Sequence, residues 1–192
     1  MAEKTIGSIV VRLTLDASEE VLGINGLRAL LNFCKMSHLL ENKPDYSFEK
    51  KFTREEFWAI TSSYIDILGQ DGARAVYRMI GKAIGKNAIK IGAFDSIDKD
   101  LPPDEKLFAL LEFYTTVRGT GKVTKEGDVI VYEHPDCALC AHAEFDQPVC
   151  TTYNGFLDMT IEWAGVKNRR SVETACKAMG DNTCRFEILP IE

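Results

Sequence analysis

DCALCAHAEFDQPVC at residues 136–150 and CKAMGDNTC at residues 176–184 are the two stretches that decide how this chain is interpreted. They hold five of its six cysteines: Cys137, Cys140, Cys150, Cys176 and Cys184. The first 136 residues contain only Cys34. Thiolates are soft ligands that select soft metal ions. The clustering therefore predicts one site in which four thiols bind a metal, with zinc as the expected ion.

The spacing of these cysteines suits a common site. Cys176 and Cys184 lie symmetrically about the turn of a predicted β-hairpin, so strand pairing can bring them opposite each other. Opposed Cβ atoms on one face lie roughly 4.5–5.5 Å apart, which is within reach of two sulfurs on one zinc ion. Cys137-x2-Cys140 has the spacing of a metal-binding knuckle. Cys150 lies at the predicted start of a helix, where the helix dipole favours a thiolate.

One tetrahedral zinc ion needs only four ligands, so one thiol is surplus. Cys150, Cys176 and Cys184 are the expected ligands, with either Cys140 or Cys137 as the fourth. Four neighbouring side chains stay open as substitutes: His134, His142, Glu133 and Glu144. The alternatives to zinc are an iron–sulfur cluster, a redox pair, a regulatory disulfide, and a group of thiols buried as small hydrophobic residues. A site with three or four sulfurs is expected to be closed and structural.

The beginning of the chain predicts a strand followed by a helix. Residues 6–15 are rich in β-branched residues and largely alternate, which predicts a strand. Asp16 or Ser18 is then expected to cap a helix that runs to about Leu40. Gly23 inside this helix indicates either close packing or a break.

Three further helices are predicted before residue 119. Thr53-x2-Glu56 is a capping box that starts the first of them, which is expected to end near Gly69. Residues 71–85 and 102–119 carry apolar side chains at helical spacing. Gly81-x3-Gly85 resembles a ridge of small residues over which two helices pack closely.

After residue 119 the hydrophobic pattern changes to period two. Residues 122–125 and 129–133 predict one β-hairpin, and residues 171–177 and 183–189 predict another. A helix is predicted between the hairpins, over residues 148–163.

This order predicts an α+β fold, in which an N-terminal helical half packs on an antiparallel sheet and the cysteine-rich C-terminal half binds metal. We expect a single domain over residues 1–192. Its mainly helical part is residues 1–119, and residues 120–192 supply a hairpin, the cysteine loop, a helix and a second hairpin.

Composition restricts the classes of partner. The chain has 192 residues and a net charge of −6, which argues against nonspecific binding to nucleic acid, since that binding relies on Lys and Arg. The first 15 residues lack the features of a signal peptide, and no run approaches the ~18 apolar residues needed to cross a bilayer. We therefore expect a cytoplasmic protein without membrane insertion, where clustered cysteines more often bind metal than form disulfides.

Over residues 136–165 and 172–188 the sequence resembles the 4-vinyl reductase domain family. The resemblance consists of a cysteine-rich loop, a Pro-x-Cys helix start, a Gly-Phe pair, and a final Glu-x2-Cys, Gly-Asp and Cys-x-Phe series. The matching residues are Cys137, Cys140, Pro148, Cys150, Gly155, Phe156, Glu173, Cys176, Gly180, Asp181, Cys184 and Phe186. Residues 21–26 are a weaker match to the family's opening helix.

The resemblance implies an α+β fold like that of TRAPP vesicle-tethering subunits, often dimeric, with a small apolar ligand held beside a zinc site. Relatives in this family include sensor domains of aromatic-responsive bacterial transcription activators and proteins linked to bacteriochlorophyll 4-vinyl reduction. This chain shows no ATPase or DNA-binding segment of the kind the activators carry.

These observations predict a zinc-containing protein that binds a small hydrophobic or aromatic ligand as a sensor or carrier, and that forms a homodimer. One alternative is a tetrapyrrole 4-vinyl reductase, or an accessory protein of bacteriochlorophyll-type biosynthesis. The sequence contains no nicotinamide or flavin motif, which counts against a self-contained reductase. A dimeric scaffold is the second alternative. Enzymatic activity stays open, and no catalytic or cofactor-binding residue is assigned.

Six aromatic residues of the helical half are candidates for lining a ligand pocket, although aromatic residues at helical spacing are more often plain core. They are Phe57, Trp58, Tyr64, Phe108, Phe113 and Tyr114.

Overall fold

The computed structural model describes residues 3, 5–118, 120–140 and 144–191. The helices are α1 (Ser8–Phe33), α2 (His38–Glu41), α3 (Arg54–Lys90), α4 (Pro103–Arg118) and α5 (Thr151–Ala164). The strands are β1 (Ile6–Gly7), β2 (Lys50–Phe52), β3 (Lys122–Glu126), β4 (Val129–His134), β5 (Arg169–Ala175) and β6 (Cys184–Pro190). Short 3-10 turns occupy Ala138–Cys140 and Lys177–Met179. Helices and antiparallel sheets together confirm the predicted α+β class.

The strand predicted over residues 6–15 is wrong. Only Ile6 and Gly7 are extended, in a short antiparallel pair with β2, and α1 begins at Ser8. The first turns of α1 are buried almost all round, with Val11 and Leu15 fully inaccessible to solvent. An apolar run buried on all sides has the same pattern in a helix as in a buried strand, so periodicity alone could not distinguish them.

The predicted helix caps Asp16 and Ser18 lie inside α1, so neither caps a helix. The helix also ends at Phe33, well before the predicted Leu40. Gly23 does mark a break, because its φ of 71° and ψ of 169° are not helical. Only a glycine adopts this conformation at little cost.

The predictions for α3 are closer to the structure. The side chain of Thr53 accepts a hydrogen bond from the Glu56 amide at 3.1 Å, and the Glu56 carboxylate accepts one from the Thr53 amide at 2.7 Å. This confirms the capping box. Gly69 (φ 71°, ψ 171°) interrupts the helix where the first of the two predicted helices was expected to end. The second segment continues to Lys90, beyond the predicted residue 85.

The main sheet has the order β3-β4-β6-β5, with antiparallel pairing throughout. Both predicted hairpins form, as β3–β4 and β5–β6, and β4 also pairs with β6 so that His134 lies opposite Cys184. Along β6 the buried residues alternate as Cys184, Phe186 and Ile188. One face of the sheet therefore carries a cysteine and two apolar side chains into the core. Among the described residues, no helix has an apolar stretch long enough to span a bilayer.

Helices α3 and α5 pack against each other through glycines. A Cβ atom on Gly81 would overlap the carbonyl oxygen of Thr152, and one on Gly155 would overlap the carbonyl oxygen of Arg78. A Cβ on Gly85 would lie 2.7 Å from the Cβ of Met159. The predicted ridge of Gly81 and Gly85 is thus confirmed as a close helix contact. This contact determines how near α5 and its preceding loop come to α3.

The Gly155→Ala change is expected to destabilise the protein by about 1–3 kcal/mol, because the added methyl group forces α3 and α5 apart in a packed core. Urea unfolding followed by circular dichroism measures the loss. Gly72→Ala is the matched control: Gly72 lies in α3, and its Cβ would meet only the half-exposed side chain of Leu68. The control should change the free energy of unfolding by less than about 1 kcal/mol. Equal stability of the two variants would contradict the close contact.

Candidate functional site

Five cysteine thiols converge where the loop after β4, the start of α5 and the β5–β6 hairpin meet. Cys137 and Cys140 come from the loop, and Cys150 immediately precedes α5. Cys176 follows β5, and Cys184 begins β6. None of the five is more than 5% exposed. Segments far apart in the sequence thus bury their sulfur atoms in one place, which we call the thiol cluster.

The sulfur atoms are close but not bonded. Cys150 Sγ lies 3.2 Å from Cys137 Sγ, 3.1 Å from Cys140 Sγ and 3.7 Å from Cys184 Sγ. Cys140 Sγ lies 3.6 Å from the sulfurs of both Cys176 and Cys184. A disulfide would require about 2.0 Å, and all of these thiols are free. Two sulfurs on one tetrahedral zinc ion lie about 3.8 Å apart, so the donor set and its separations fit a single soft ion.

Several sets of four donors meet this geometric requirement. One consists of Cys137, Cys140, Cys150 and Cys184, and another of Cys150, Glu173, Cys176 and Cys184; within each, all ligand atoms lie within 4.8 Å of one another. The predicted set, with Cys140 in place of Glu173, also fits, since the Cys140 sulfur lies 3.1–3.6 Å from its three partners. Cys150 and Cys184 belong to every set.

Glu173 was not among the substitutes expected from the sequence. Its Oε2 accepts a hydrogen bond from the Cys150 amide at 3.2 Å, while its buried Oε1 has no hydrogen-bond partner among the described residues. Burial, together with the charge of Cys176, raises the pKa of Glu173 to about 9. A buried carboxylate oxygen without a donor is costly unless a cation or proton satisfies it. The signal for this residue was in the Glu-x2-Cys motif.

The packed thiols affect one another's protonation. Hydrogen bonds from Cys140, Cys150 and Cys184 hold the pKa of Cys176 far below its ordinary value. Hydrogen bonding with Cys137, followed by its other sulfur neighbours, raises the pKa of Cys150 well above the ordinary value. Without a metal, one thiolate surrounded by protonated thiols is therefore the favoured arrangement. A bound cation would favour further deprotonation, because thiolates are the form that ligates metal.

Backbone hydrogen bonds fix the β5–β6 end of the cluster. The Asp181 carboxylate accepts from the Cys176 amide at 2.8 Å, and the Cys184 sulfur accepts from the Lys177 amide at 3.5 Å. The Phe145 amide donates to the Ala178 carbonyl at 2.7 Å, which joins the cysteine loop to the hairpin. The turn between the strands therefore holds two sulfur atoms in place before any ligand binds.

The expected substitute ligands do not join the cluster. His134 is buried, but its Nε2 accepts from Arg118 at 3.2 Å, and burial followed by the Arg118 charge lowers its pKa to about 3. Glu133 forms an ion pair with Arg185 at 3.6 Å. Glu144 is exposed to solvent, and His142 lies outside the described residues.

An apolar cavity of about 140 Å³ lies beside the thiol cluster. Its walls come from α1, α3, α4 and α5, and its aromatic side chains include Phe57, Tyr64, Tyr77, Phe113, Tyr114, Tyr153 and Phe156. Of the six aromatic candidates named from the sequence, Phe57, Tyr64, Phe113 and Tyr114 line it. Trp58 and Phe108 are not among its lining residues.

The thiol cluster and the cavity share structural elements. Leu139, between Cys137 and Cys140, lines the cavity, and so does Tyr153, three residues after Cys150. The Tyr153 amide donates to the Cys150 carbonyl at 2.9 Å. Any change that moves the cysteine loop or the start of α5 therefore also moves the cavity wall.

Most polar groups in the cavity wall have partners within the protein. The Tyr77 hydroxyl donates to the Thr61 carbonyl, and the Tyr64 hydroxyl is hydrogen-bonded to Ser18. The hydroxyl of Thr14 donates to the Val10 carbonyl at 2.8 Å. These side chains present mainly carbon atoms to the cavity, which therefore suits an apolar ligand.

Residues 130–190 match the family model of the 4-vinyl reductase (4VR) domain. The predicted resemblance to this family is confirmed over the matched segment. The segment begins in β4, ends in β6 and contains all five clustered cysteines. No curated protein sequence matches the chain significantly.

Solved structures share the fold over much more of the chain. An oxygen-binding H-NOX domain related to soluble guanylate cyclases, solved as its oxygen complex, has a TM-score of 0.64 at 10% identity, covering 97% of each chain. An H-NOX protein from S. oneidensis in the Fe(II) state has a TM-score of 0.64 at 12% identity, again covering 97% of each chain. The phenol-responsive sensory domain of the transcription activator PoxR, solved with phenol, has a TM-score of 0.52 at 17% identity and covers 72% of this chain and 75% of its own. At these identities the similarity shows the fold alone.

Burial of the thiol cluster predicts selective reactivity. Cys34 is half-buried and lies outside the cluster, so iodoacetamide should label the native, reduced protein at Cys34 first, although burial raises the pKa of its thiol. Intact-mass spectrometry should show a single early adduct, and six after unfolding. A Cys34→Ala variant should show no early adduct. Rapid labelling of Cys150 or Cys184 in folded protein would contradict the burial of the cluster.

Proposed function

We propose that this chain is a ligand-binding sensor or carrier domain, in which an apolar cavity binds a small aromatic molecule and a zinc ion in the thiol cluster holds the cavity wall. The cavity carries the proposal. Its volume of about 140 Å³ is close to the ~150 Å³ of an engineered apolar cavity that binds benzene. A single aromatic ring is therefore the size of ligand that the observed cavity accommodates.

The similarity in fold to a sensory domain solved with phenol supports the same class of ligand. The H-NOX relatives raise the alternative of a haem or another tetrapyrrole. Four linked pyrrole rings need far more volume than the cavity provides, so a tetrapyrrole would require the walls to separate. No histidine of the described residues lines the cavity as a candidate axial ligand. These observations favour the small aromatic ligand.

The thiol cluster supports a single zinc ion better than an iron–sulfur cluster. An iron–sulfur cluster inserts several iron and sulfide atoms between its cysteine ligands, whereas the thiols here approach within 3.1–3.7 Å of one another. We propose Cys150, Cys176 and Cys184 as three ligands. The fourth comes from Cys140, whose sulfur is near all three, or from Glu173, whose Oε1 has no other partner among the described residues. Cys137 is the remaining thiol that the sequence assigned to this site.

With all four positions taken by protein, the bound zinc would be structural. It would join the cysteine loop, the start of α5 and the β5–β6 hairpin into one unit. Since Leu139 and Tyr153 belong to this unit and line the cavity, the ion would hold two parts of the ligand-binding wall in position.

Native mass spectrometry of protein purified without added metal should detect one zinc ion per chain. Cys176→Ser and Cys184→Ser should each lose the zinc and lower the melting temperature, because a structural zinc contributes directly to folding. Cys34→Ser, which changes a thiol outside the cluster, is the matched control and should retain the zinc. Full metal content in both cluster variants would rule out the ligand assignment.

The fourth ligand is decided by a second pair of variants. Loss of zinc in Glu173→Gln but not in Cys140→Ser assigns the carboxylate, and the reverse assigns the thiol. Loss in Cys137→Ser and Cys140→Ser together, with retention in Cys176→Ser, would instead assign the set that excludes Cys176.

Toluene or phenol at about ten times its dissociation constant should stabilise the wild-type protein by about 1.4 kcal/mol through mass action. Ala88→Leu places a larger side chain in the cavity wall, so its melting temperature should no longer respond to either compound. Ala75→Leu makes the same change at an exposed position of the same helix and should respond like the wild type. Absence of any response in the wild-type protein would contradict the proposed function.

Three further expectations are part of the proposal. Free thiols in the cluster support a reducing compartment such as the cytoplasm. Large apolar side chains that are 43–54% exposed, among them Ile24, Phe33, Ile67 and Leu68, support a homodimer that would cover some of them. Light scattering would measure the mass of the assembly. A tetrapyrrole reductase, its accessory protein and a dimeric scaffold remain the alternatives, and visible absorbance of the purified protein would favour the first two.

A further inference from the structure

Among the residues that the structure describes, Arg118 is the one cationic side chain that lines the apolar cavity. It is the last residue of α4. It also lines a second, smaller cavity of about 40 Å³, between α4 and the β1–β2 pair. Ile9, Val10 and Phe48 line both cavities. Arg118 therefore lies at the junction between the aromatic cavity and a recess that leads towards exposed Phe48 and Lys50.

The side-chain contacts of the guanidinium group are with neutral groups. Nη1 donates to the Tyr114 hydroxyl at 2.9 Å, and Nη2 donates to Nε2 of the neutral His134 at 3.2 Å. The guanidinium carbon lies 5.5 Å from the ring centroid of Tyr114 and 5.6 Å from that of Tyr153. These contacts orient the side chain, but none of them carries a negative charge.

Arg118 lacks a carboxylate within the described residues. Nε is buried and has no hydrogen-bond partner there, and no described carboxylate oxygen lies within 4.0 Å of the guanidinium nitrogens. Other partly buried arginines differ in this respect. Arg169 pairs with Asp128 at 2.8 Å, and Arg185 pairs with Glu187 at 2.9 Å.

A charge in an apolar environment is costly unless an opposite charge and hydrogen bonds compensate it. An arginine cannot lower this cost by losing its proton, because it stays charged in proteins. Its planar fork still has free N–H groups, and the ligand that fits such a fork best is a carboxylate, which accepts two parallel hydrogen bonds. The missing partner of Arg118 is thus an anion of the size and shape of a carboxylate.

We propose that the ligand of the cavity is a small aromatic carboxylic acid, whose ring lies among the aromatic side chains and whose carboxylate accepts hydrogen bonds from Arg118. This inference rests on the proposed function and adds the charge of the ligand to it. Because Arg118 lies at the junction of the two cavities, the carboxylate lies towards the recess, and the exposed Lys50 adds a second positive charge there.

The test compares three probes of similar size: benzoate, its neutral isostere benzamide, and toluene. Titration calorimetry on the wild-type protein at about pH 7.5, where benzoate is ionised, should show that benzoate binds at least about 10-fold more tightly than benzamide, as expected for charge-assisted hydrogen bonds. Arg118→Met should weaken benzoate binding about 10- to 100-fold and leave toluene binding within about threefold. Arg28→Met removes an exposed positive charge outside the cavity lining and should preserve the wild-type preference.

Arg118 also supports Tyr114 and His134, so the ratio of benzoate to toluene affinity is the decisive quantity: a purely structural role would weaken both ligands together. Arg118→Lys keeps the charge without the fork and should lie between the wild type and the Met variant. If Arg118→Met does not fold, the comparison of benzoate with benzamide on the wild-type protein decides the matter. Equal affinities there would overturn the proposal.

The outcomes separate the two levels of inference. Binding of toluene or phenol without benzoate would overturn the role of Arg118 and leave the aromatic-ligand function in place. Binding of none of these probes to the wild-type protein would overturn the proposed function itself.

Discussion

The burial of five thiols around the start of α5 is the constraint on which the site depends. Three segments have to meet there: the loop carrying Cys137 and Cys140, the residue before α5, and the ends of the β5–β6 hairpin. Sulfurs that approach within 3.1–3.7 Å leave little room for any other group. The positions of the loop and of α5 are therefore coupled, and both contribute side chains to the cavity.

The second constraint is the close contact of α3 with α5. Gly81 and Gly155 allow the backbones of the two helices to approach until a Cβ on either would overlap a carbonyl oxygen of the other helix. Tyr77 and Phe156 lie near this contact in the sequence and both face the cavity. Glycines that bring two helices together thus also determine how far apart the aromatic walls of the cavity stand, and hence which ligands it accommodates.

Local signals in the sequence were reliable where the chemistry of neighbouring residues decides the structure. The capping box at Thr53 and the two β-hairpins depend on contacts over a few residues, and they form as predicted. Residues 6–15 were mistaken for a strand because their pattern does not record that solvent is excluded from every side of the helix. Glu173 was missed as a donor for a related reason. A carboxylate in a strand is ordinary until the fold buries one of its oxygens beside thiols.

The sequence by itself determined the α+β class, the clustering of cysteines in the last quarter of the chain and the likeness to the 4-vinyl reductase domain, since spacing and residue type are enough for each. The tertiary structure alone decided the rest. It showed which donors lie within reach of one ion, placed the aromatic side chains of four helices around one cavity, and left the charge of Arg118 there without a described carboxylate partner. These properties depend on distances between residues remote in sequence and on the exclusion of water from between them, and neither is encoded in any short stretch of the chain.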